Sequence, residues 1–237
     1  MKNIILIATV LLSTYGYAQK IKGNGNMKTI TRTTGDYDGI KCSGSFDYIL
    51  VAGNEGIITL EGEENLIEYI ITEVRGNQLI VKQKDKTNLY PSKNKAIKIT
   101  IPFKDISQVS LAGSGDLWNN DVISATIFEA SLAGSGDVTL QVEATTIKGS
   151  LSGSGDLIIK GQTDRLEASV SGSGDFDASK LESNHTDVSL TGSGDANVVS
   201  YKTLKARVTG SGDIEYKGNP EKEDTKVVGS GSISKDD

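Results

Sequence analysis

The chain has 237 residues, and 25 basic side chains against 31 acidic ones give it a formal net charge of −6 at pH 7. This acidic balance argues against a nucleic-acid backbone or an anionic membrane surface as the main partner. The chain has 27 glycines but only three prolines, which indicates glycines placed by a pattern and not a disordered chain. A single cysteine excludes an internal disulfide, so packing and backbone hydrogen bonds must hold the fold.

Residues 1–18 have the pattern of a secretory signal peptide. Lys2 supplies the positive start, an apolar run follows at 4–12, and Gly16-Tyr17-Ala18 gives a small-x-small cleavage site. The run is too short for a permanent membrane-spanning helix. We therefore expect a mature chain that begins near Gln19 and has no integral membrane segment. It would be exported to the periplasm, the cell surface or the extracellular medium.

Between the signal peptide and the repeats the pattern changes several times. Residues 19–35 are polar and contain glycine, and we interpret them as a flexible leader. A single ordered domain is expected from 36 to 233, followed by a polar tail at 234–237. Apolar residues at 63–74 recur at helical spacing, which predicts either one short helix or a continued strand at this insertion.

The phrase Gly-Ser-Gly-Asp recurs six times in the second half of the chain. The copies begin at Gly113, Gly134, Gly153, Gly172, Gly192 and Gly210, and a degenerate copy begins at Gly229. Successive copies are 21, 19, 19, 20, 18 and 19 residues apart. A nearly constant period of this size predicts a solenoid in which each repeat stacks on the one before it. Gly44-Ser45-Phe46-Asp47 resembles a diverged first copy.

Apolar residues on both sides of the phrase define the repeat. Two residues before the first glycine stand Leu111, Leu132, Leu151, Val170, Leu190 and Val208; directly after the aspartate stand Leu117, Val138, Leu157, Phe176, Ala196 and Ile214. Each repeat therefore carries two strands of alternating side chains that meet at the phrase. We predict an all-β fold, a right-handed parallel β-helix with about 18–21 residues per turn, because parallel crossovers are nearly always right-handed.

The glycines of the phrase are predicted to form the corner between the two strands. Glycine adopts a positive φ angle without steric cost, and a sharp corner needs such an angle. The predicted turn glycines are Gly113, Gly115, Gly134, Gly136, Gly153, Gly155, Gly172, Gly174, Gly192, Gly194, Gly210 and Gly212.

An aspartate follows on every turn, at Asp116, Asp137, Asp156, Asp175, Asp195 and Asp213. Carboxylates about 5 Å apart repel each other by about 1 kcal/mol in water, so another interaction must offset the repulsion. One explanation is that each carboxylate accepts hydrogen bonds from N–H groups of its own glycine turn, beside a ladder of serine hydroxyls. The other is that Ca²⁺ ions lie between successive turns with these aspartates as ligands. Calcium-binding β-rolls have a denser glycine–aspartate repeat, which favours the first explanation, with no cofactor.

Other chemistries lack the residues that they need. The one histidine, His185, lies in a polar stretch, so no nucleophile–base–acid triad and no His/Cys metal site is expected. No helix with a lysine follows the glycine phrase, which excludes a phosphate-binding loop. The only unique interruption of the repeats is 61–95. We interpret its lysines as a solvated loop, with contact to a glycan or acidic polymer as the alternative; they are Lys82, Lys84, Lys86, Lys93 and Lys95.

The chain resembles a known family at three places that occur in the same order. The opening is Tyr37-Asp38-Gly39-Ile40-Lys41-Cys42-Ser43-Gly44-Ser45-Phe46-Asp47, the middle is the segment 65–70, and the repeated turns follow. It is similar over about 36–233 to the auto-transporter adhesin head, or GIN, domain of Bacteroidetes-type bacteria. The resemblance implies an exported right-handed β-helix of pectin-lyase-like shape with an adhesive role.

These observations predict an exported, non-enzymatic β-helix protein that acts as an adhesin-like binding or scaffold module of the cell envelope. Its partner would be a glycan or a surface protein. The alternatives are a polysaccharide-active enzyme and a Ca²⁺-stabilised repeat protein. An enzyme would need paired carboxylates or a base in a groove, whereas the acidic residues here are periodic and alike. The sequence predicts no oligomeric state.

Overall fold

The computed structural model describes residues 19–236, so the predicted signal peptide lies outside the described residues. Strands account for 68% of the structure and helix for 2%, and the strands form a β-solenoid of about seven turns with a single short helix. One sheet of 18 strands winds through the coil, and two further strands form a separate small sheet. The predicted all-β solenoid is confirmed. Its right hand stays a prediction from the crossover preference.

The elements before the repeats are β1 (Gln19–Lys22), β2 (Met27–Thr33), β3 (Gly39–Gly44), β4 (Asp47–Ala52), β5 (Ile57–Glu63), α1 (Glu64–Ile67), β6 (Ile70–Arg75), β7 (Gln78–Gln83), β8 (Thr87–Tyr90) and β9 (Lys98–Phe103). The repeats contain β10 (Gln108–Gly113), β11 (Leu117–Asn119), β12 (Ile123–Gly134), β13 (Val138–Gly153), β14 (Leu157–Gly172), β15 (Phe176–Gly192), β16 (Ala196–Val199), β17 (Thr203–Gly210), β18 (Ile214–Lys217), β19 (Lys222–Gly229) and β20 (Ile233–Lys235).

Successive turns stack in parallel with the repeated phrase in register. Gly113 pairs with Gly134, and the same pairing continues from turn to turn as far as Gly210 and Gly229. The first turn, β3 and β4, lies on β10 and β11, so that Gly44 pairs with Gly113. The diverged opening phrase is therefore the first corner of the coil.

The interior of the coil consists of continuous apolar columns. Every residue of the column that precedes the corners, from Leu111 to Val208, has at most 2% of its surface exposed. Fully burying such a side chain contributes about 1.5–3 kcal/mol relative to leaving it exposed. Gly149 stands where the neighbouring turns have alanine, and a Cβ there would lie 2.6 Å from the ring of Phe176. The missing side chain makes room for that ring.

The insertion between β4 and β10 closes the N-terminal end of the coil. Its strands β7 and β9 pair in parallel with β3 and β4, and so form a layer on the first turn. Two further strands, β6 and β5, then pair antiparallel to β7 and β9. The unique segment of the sequence is therefore a cap.

The apolar run at 63–74 contains both elements that its pattern predicted. The helix α1 occupies only Glu64–Ile67, and β6 begins three residues later at Ile70. The Arg32 guanidinium donates hydrogen bonds to the carbonyls of Ile67, at 2.8 Å, and Ile70. Such carbonyls have no partner within a short helix, so Arg32 stabilises the point where the chain leaves it.

The expectation of a flexible leader at 19–35 is wrong. The strand β1 pairs in parallel with β8, and β2 pairs antiparallel to β5 over all seven of its residues. The segment is polar because most of its side chains face solvent. Its order comes from backbone pairing to a distant part of the chain, which its composition does not reveal.

The C-terminal turn ends the stack with charged residues. The strands β19 and β20 add one more turn to the coil, and β20 already includes the start of the expected polar tail at 234–237. Glu223 stands in register with the buried Leu204, and Lys235 with the buried Tyr216. Charged residues at inward positions oppose the addition of another strand.

A buried carboxylate holds the N-terminal segment to the cap. Glu63 is 1% exposed, and it accepts hydrogen bonds from the Ser92 N–H (2.7 Å), the Ser92 hydroxyl (2.6 Å) and the Gly25 N–H. Beside it, the Lys95 ammonium donates to the Gly25 carbonyl. Burial by itself would raise the pKa of Glu63, but the hydrogen bonds from Ser92 and Gly25 and the charge of Lys95 bring the pKa below its ordinary value.

Acidification is expected to weaken this contact. Because the pKa of Glu63 is lowered on folding, its carboxylate stabilises the fold above the ordinary glutamate pKa of about 4.3, and this contribution is lost as the pH falls further. Unfolding of the parent and of Glu63→Gln between neutral pH and about pH 3 tests this. We expect the variant to be less stable at neutral pH by about 1–3 kcal/mol. A difference that does not shrink on acidification would contradict this role.

Candidate functional site

The six Gly-Ser-Gly-Asp corners, here called the corner ridge, run in register along one side of the coil. The first glycine of each copy has a φ angle between 128° and 138°, a region that residues with a side chain rarely adopt. Its carbonyl accepts two N–H groups from the next corner. For example, Gly134 O accepts the Ser154 N–H at 2.9 Å and the Gly155 N–H at 3.2 Å. Neighbouring corners are thus bound to each other through their backbones.

The second glycine of each copy has a different reason to be glycine. Gly155 has no positive φ angle, so the expectation of a positive φ holds only for the first glycine of each corner. A Cβ at Gly155 would lie 1.9 Å from the carbonyl oxygen of Gly136, and one at Gly153 would lie 2.1 Å from that of Gly134. Both positions exclude a side chain because the previous turn lies directly against them.

Each aspartate of the ridge accepts a hydrogen bond from the following turn. Asp137 Oδ1 accepts the Asp156 N–H at 3.0 Å, and Asp156 Oδ1 accepts the Asp175 N–H at 3.2 Å. The same bond is made by Asp116, Asp175 and Asp195. The ladder ends at Asp213, which accepts both the N–H and the hydroxyl of Ser232.

The expectation that each carboxylate binds its own turn is therefore wrong. Within one corner, the N–H groups of Ser154 and Gly155 are already bound to the carbonyl of Gly134. The N–H of Asp156 in turn binds the preceding aspartate. The backbone N–H group that reaches Asp156 comes from the next turn, so the aspartates link turns as the glycines do.

The ladder offsets the repulsion between stacked carboxylates. Among the described residues, no ion pair includes a ridge aspartate, so lysines and arginines do not neutralise the ridge. A hydrogen bond to a charged group contributes about 1.5–3 kcal/mol, against a repulsion of about 1 kcal/mol in water. At the first corner, burial raises the pKa of Asp47; the charge of Asp116 raises it further and that of Lys98 opposes this.

The calcium interpretation stays a prediction. Within 19–236, no three histidine, cysteine or acidic side chains are grouped so that they could hold a metal ion. Each ridge aspartate commits Oδ1 to the ladder, which leaves Oδ2 for a cation or a partner. The expected ladder between the serine hydroxyls of the six copies does not form in the described part of the chain. One such contact joins Ser114 to Ser45 of the first corner, with the hydroxyl oxygens 3.2 Å apart.

His185 and Cys42 contact only other parts of the fold in the described residues, and neither lies in one of the grooves. His185 Nδ1 lies 2.8 Å from the hydroxyl oxygen of Thr203 on the next turn. Cys42 is buried, and burial raises the pKa of its thiol. A raised pKa disfavours the thiolate, which is the reactive form.

Part of the lysine-rich segment holds the cap together. Lys95 binds the Gly25 carbonyl, and Lys82 lies 3.4 Å from Asp85. The strand β8 lies within this segment, and the Lys20 ammonium of its partner β1 stands 4.1 Å from the centre of the Tyr90 ring. The solvated-loop interpretation fits the exposed Lys84, Lys86 and Lys93, whereas Lys82 and Lys95 have partners.

Sequence reasoning missed Glu63 and Arg32. Arg32 is a single charged residue in a polar stretch, and no pattern in the sequence around it predicts its hydrogen bonds. Glu63 stands between Glu61 and Glu64 at the end of the strand that begins at Ile57, so the sequence does not distinguish the buried carboxylate from its exposed neighbours.

Two open grooves lie at the N-terminal cap. One, of about 590 Å³, carries four acidic residues, Asp36, Asp38, Glu55 and Asp105. Both oxygens of Glu55 accept backbone N–H groups, from Tyr37 and Lys104, so this carboxylate fixes the chain. The other, of about 510 Å³, lies between β2 and α1 and is lined by Lys28, Ile30, Arg32, Glu64, Ile67 and Glu68.

A family model described as "Putative auto-transporter adhesin, head GIN domain" matches residues 36–220. The chain belongs to this family. This confirms the resemblance drawn from the opening, middle and repeated motifs. A comparison with curated proteins finds no match. No helix within 19–236 is long and apolar enough to cross a membrane.

Solved structures share the fold. A "putative lipid binding protein" from Parabacteroides distasonis is 28% identical, with a TM-score of 0.76, and the match covers 92% of this chain and 100% of that one. A "putative adhesin" from Bacteroides fragilis is 22% identical, with a TM-score of 0.83 over 91% of this chain and 100% of that one. Another "putative adhesin", from Parabacteroides merdae, is 21% identical, with a TM-score of 0.67, and the match covers 93% of this chain and 100% of that one.

Substitution of one ridge aspartate separates the hydrogen bond from the charge. Asp156→Ala leaves the Asp175 N–H without its acceptor, whereas Asp156→Asn keeps an oxygen there and removes one negative charge. We expect the alanine variant to lose about 1 kcal/mol of unfolding free energy and the asparagine variant to be at least as stable as the parent. Chemical denaturation measures both. Equal losses in the two variants would contradict a hydrogen-bonding role.

Calcium is tested by titration calorimetry and by thermal melts with Ca²⁺ or with a chelator. Since the ladder already stabilises the carboxylates, we expect no heat of binding and no change in melting temperature at millimolar Ca²⁺. Saturable heat with a raised melting temperature, both reduced in Asp156→Asn, would instead support Ca²⁺ at the ridge.

Proposed function

We propose that this chain is an exported, non-enzymatic module of the cell surface or envelope that binds a glycan or a surface protein, or holds such partners as a scaffold. Membership of the adhesin-head family supports a binding role and a surface or exported location. The structural neighbours described as adhesins are below 25% identity and support the fold only.

The observation that carries the proposal is the sameness of the turns. From Gly113 to Asp213, every corner of the ridge offers solvent the same serine and the same carboxylate Oδ2. A second outward column repeats serine over five turns, at Ser110, Ser131, Ser150, Ser169 and Ser189, and ends at Arg207. A catalytic site needs a distinct group at one place, whereas a repeated rigid surface makes many equal contacts at once.

The polysaccharide-active alternative needs paired carboxylates or a base in a groove, and most of the groups that could serve are bound elsewhere. His185 is engaged with Thr203, and the acidic groove at the cap has its Glu55 committed to backbone N–H groups. The ridge carboxylates are all bound in the same way to the next turn. The alternative would therefore have to draw its acid and base from the other carboxylates of the cap groove, Asp36, Asp38 and Asp105.

Binding and turnover are separated by two assays on residues 19–237. A glycan array comes first, together with liposomes, because one structural neighbour is described as a putative lipid-binding protein. A reducing-sugar assay then follows on every glycan that binds. We expect saturable binding without product, weakened when Asp137, Asp156 and Asp175 are all changed to asparagine if the ridge is the contact surface.

Two outcomes would contradict the proposal. Release of reducing sugar from a bound glycan would assign an enzymatic role. Absence of binding to glycans, liposomes and intact cells would remove both the binding role and the scaffold role, since a scaffold must also bind the partners that it holds. Fractionation of the producing cells adds a further test, since a protein confined to the periplasm cannot adhere to other cells.

A further inference from the structure

The strand β2 leaves one of its edges open. Among the described residues it pairs only with β5. At its ends, the Glu64 N–H binds the Asn26 carbonyl and the Thr34 N–H binds the Gly56 carbonyl. In an antiparallel pair the residues alternate between facing the partner and facing away, so the even-numbered residues bond to β5. The N–H and C=O groups that face the open edge belong to Met27, Thr29, Thr31 and Thr33.

The open edge borders the groove between β2 and α1. Lys28, Ile30 and Arg32 line this groove on the β2 side, and Glu64, Ile67 and Glu68 line it on the α1 side. Glu64 accepts hydrogen bonds from the side-chain amides of Asn24 and Asn26, and the two cations lie directly opposite the positions that an added strand would occupy. Ile30 is only half-buried, whereas the side chains of the odd-numbered residues are exposed on the opposite face. A strand added to β2 would send its alternate side chains into the groove, because side chains alternate between the faces of a sheet. An open edge with a side-chain groove beside it is the arrangement used in β-strand addition.

The two ends of the coil differ in the side chains that an added strand would meet. At the C-terminal end, Glu223 and Lys235 occupy inward positions and oppose stacking. At β2 the apolar Ile30 stands at the centre of the groove face, and Lys28 and Arg32 flank it, so this edge accepts only a strand with acidic residues opposite the two cations. No proline or bulge interrupts the seven residues of β2, although such features are usual protections of an edge.

We propose that β2 is the docking edge for an extended segment of another protein, which adds antiparallel to β2 with the pattern acidic–x–apolar–x–acidic on its groove face. The apolar residue packs against Ile30, and the acidic residues lie opposite Lys28 and Arg32. These positions are non-hydrogen-bonded pairs, in which cross-strand side chains are closest. The proposal rests on the binding role proposed above and names the chemistry of a protein partner.

The positive charges of β2 favour an acidic partner strand over a second copy of this chain. Pairing β2 with itself about its centre would put Ile30 opposite Ile30 and Lys28 opposite Arg32. Like charges directly opposite each other destabilise a strand pair. Because Arg32 also donates to the carbonyls of Ile67 and Ile70, Lys28 is the freer cation and the one that an acidic partner residue would meet.

Two matched peptides test the side-chain pattern on residues 19–237. One is Thr-Glu-Thr-Ile-Thr-Glu-Thr with blocked ends, and the other has lysine in place of both glutamates; NMR titration or fluorescence anisotropy measures their affinities. We expect the acidic peptide to bind about threefold or more tightly than the basic one. The variant Lys28→Glu should abolish this preference, because repulsion at one position then offsets attraction at the other. An unchanged preference in that variant would overturn the proposed register.

A matched pair of substitutions tests the backbone contact. Thr31→Pro removes one N–H from the open edge and leaves the bonds to β5, whereas Thr31→Val keeps the N–H. We expect the proline variant to bind the acidic peptide about tenfold more weakly and the valine variant to bind it as the parent does. Should the proline variant fail to fold, the loss of the preference in Lys28→Glu decides the question alone.

Three results would overturn the proposal. These are equal affinity of the Thr31→Pro and Thr31→Val variants, no binding of the acidic peptide by the parent at millimolar concentration, and a dimer of the parent that Thr31→Pro dissolves. The last result would assign the edge to a second copy. In each of these three cases we expect the Thr31 and Lys28 variants to keep the parent's binding to glycans and cells. Failure of the docking-edge proposal is therefore distinct from failure of the proposed function.

Discussion

The contact between the backbone of one corner and the carbonyl of the corner before it is the constraint on which the coil depends. A Cβ at Gly134 or Gly153 would lie 2.1 Å from an oxygen of the preceding turn, so the turns can approach this closely only where glycine recurs. The same contact fixes the register, since each corner carbonyl binds two N–H groups of the next corner. With the corners aligned, the apolar residues on either side fall into columns and the core follows.

The aspartates add a second contact between successive turns, on the solvent side of the corners. Each one binds the backbone of the next turn with one oxygen, so a row of like charges becomes part of the stacking contact. The row remains exposed and nearly identical from turn to turn, which suits repeated contacts with a surface partner better than chemistry at one place. The ends of the coil break this sameness. Inward charges close the C-terminal end, whereas the cap at the N-terminal end presents the open edge of β2.

Periodicity was sufficient to predict the solenoid, the corners and the buried columns, because each of these features recurs at a fixed spacing. It could not predict the cap, in which β5 pairs antiparallel with the distant strands β2 and β9 and nothing repeats. The order of 19–35 was missed for the same reason, since its anchors are β5, β8 and the single buried Glu63. The donor to each aspartate was assigned to the wrong turn because sequence does not show which N–H groups the glycine carbonyls already occupy.

The most direct measurement compares Gly155→Ala with Ser154→Ala in one corner, by the free energy of unfolding in chemical denaturation. Gly155 has an ordinary φ angle, so a methyl group there is excluded only by the carbonyl of Gly136. Close stacking predicts a loss of about 3 kcal/mol or more for Gly155→Ala. For the exposed Ser154 it predicts a change within about 0.5 kcal/mol. Two small and equal effects would contradict the claim that backbone contact between corners sets the fold.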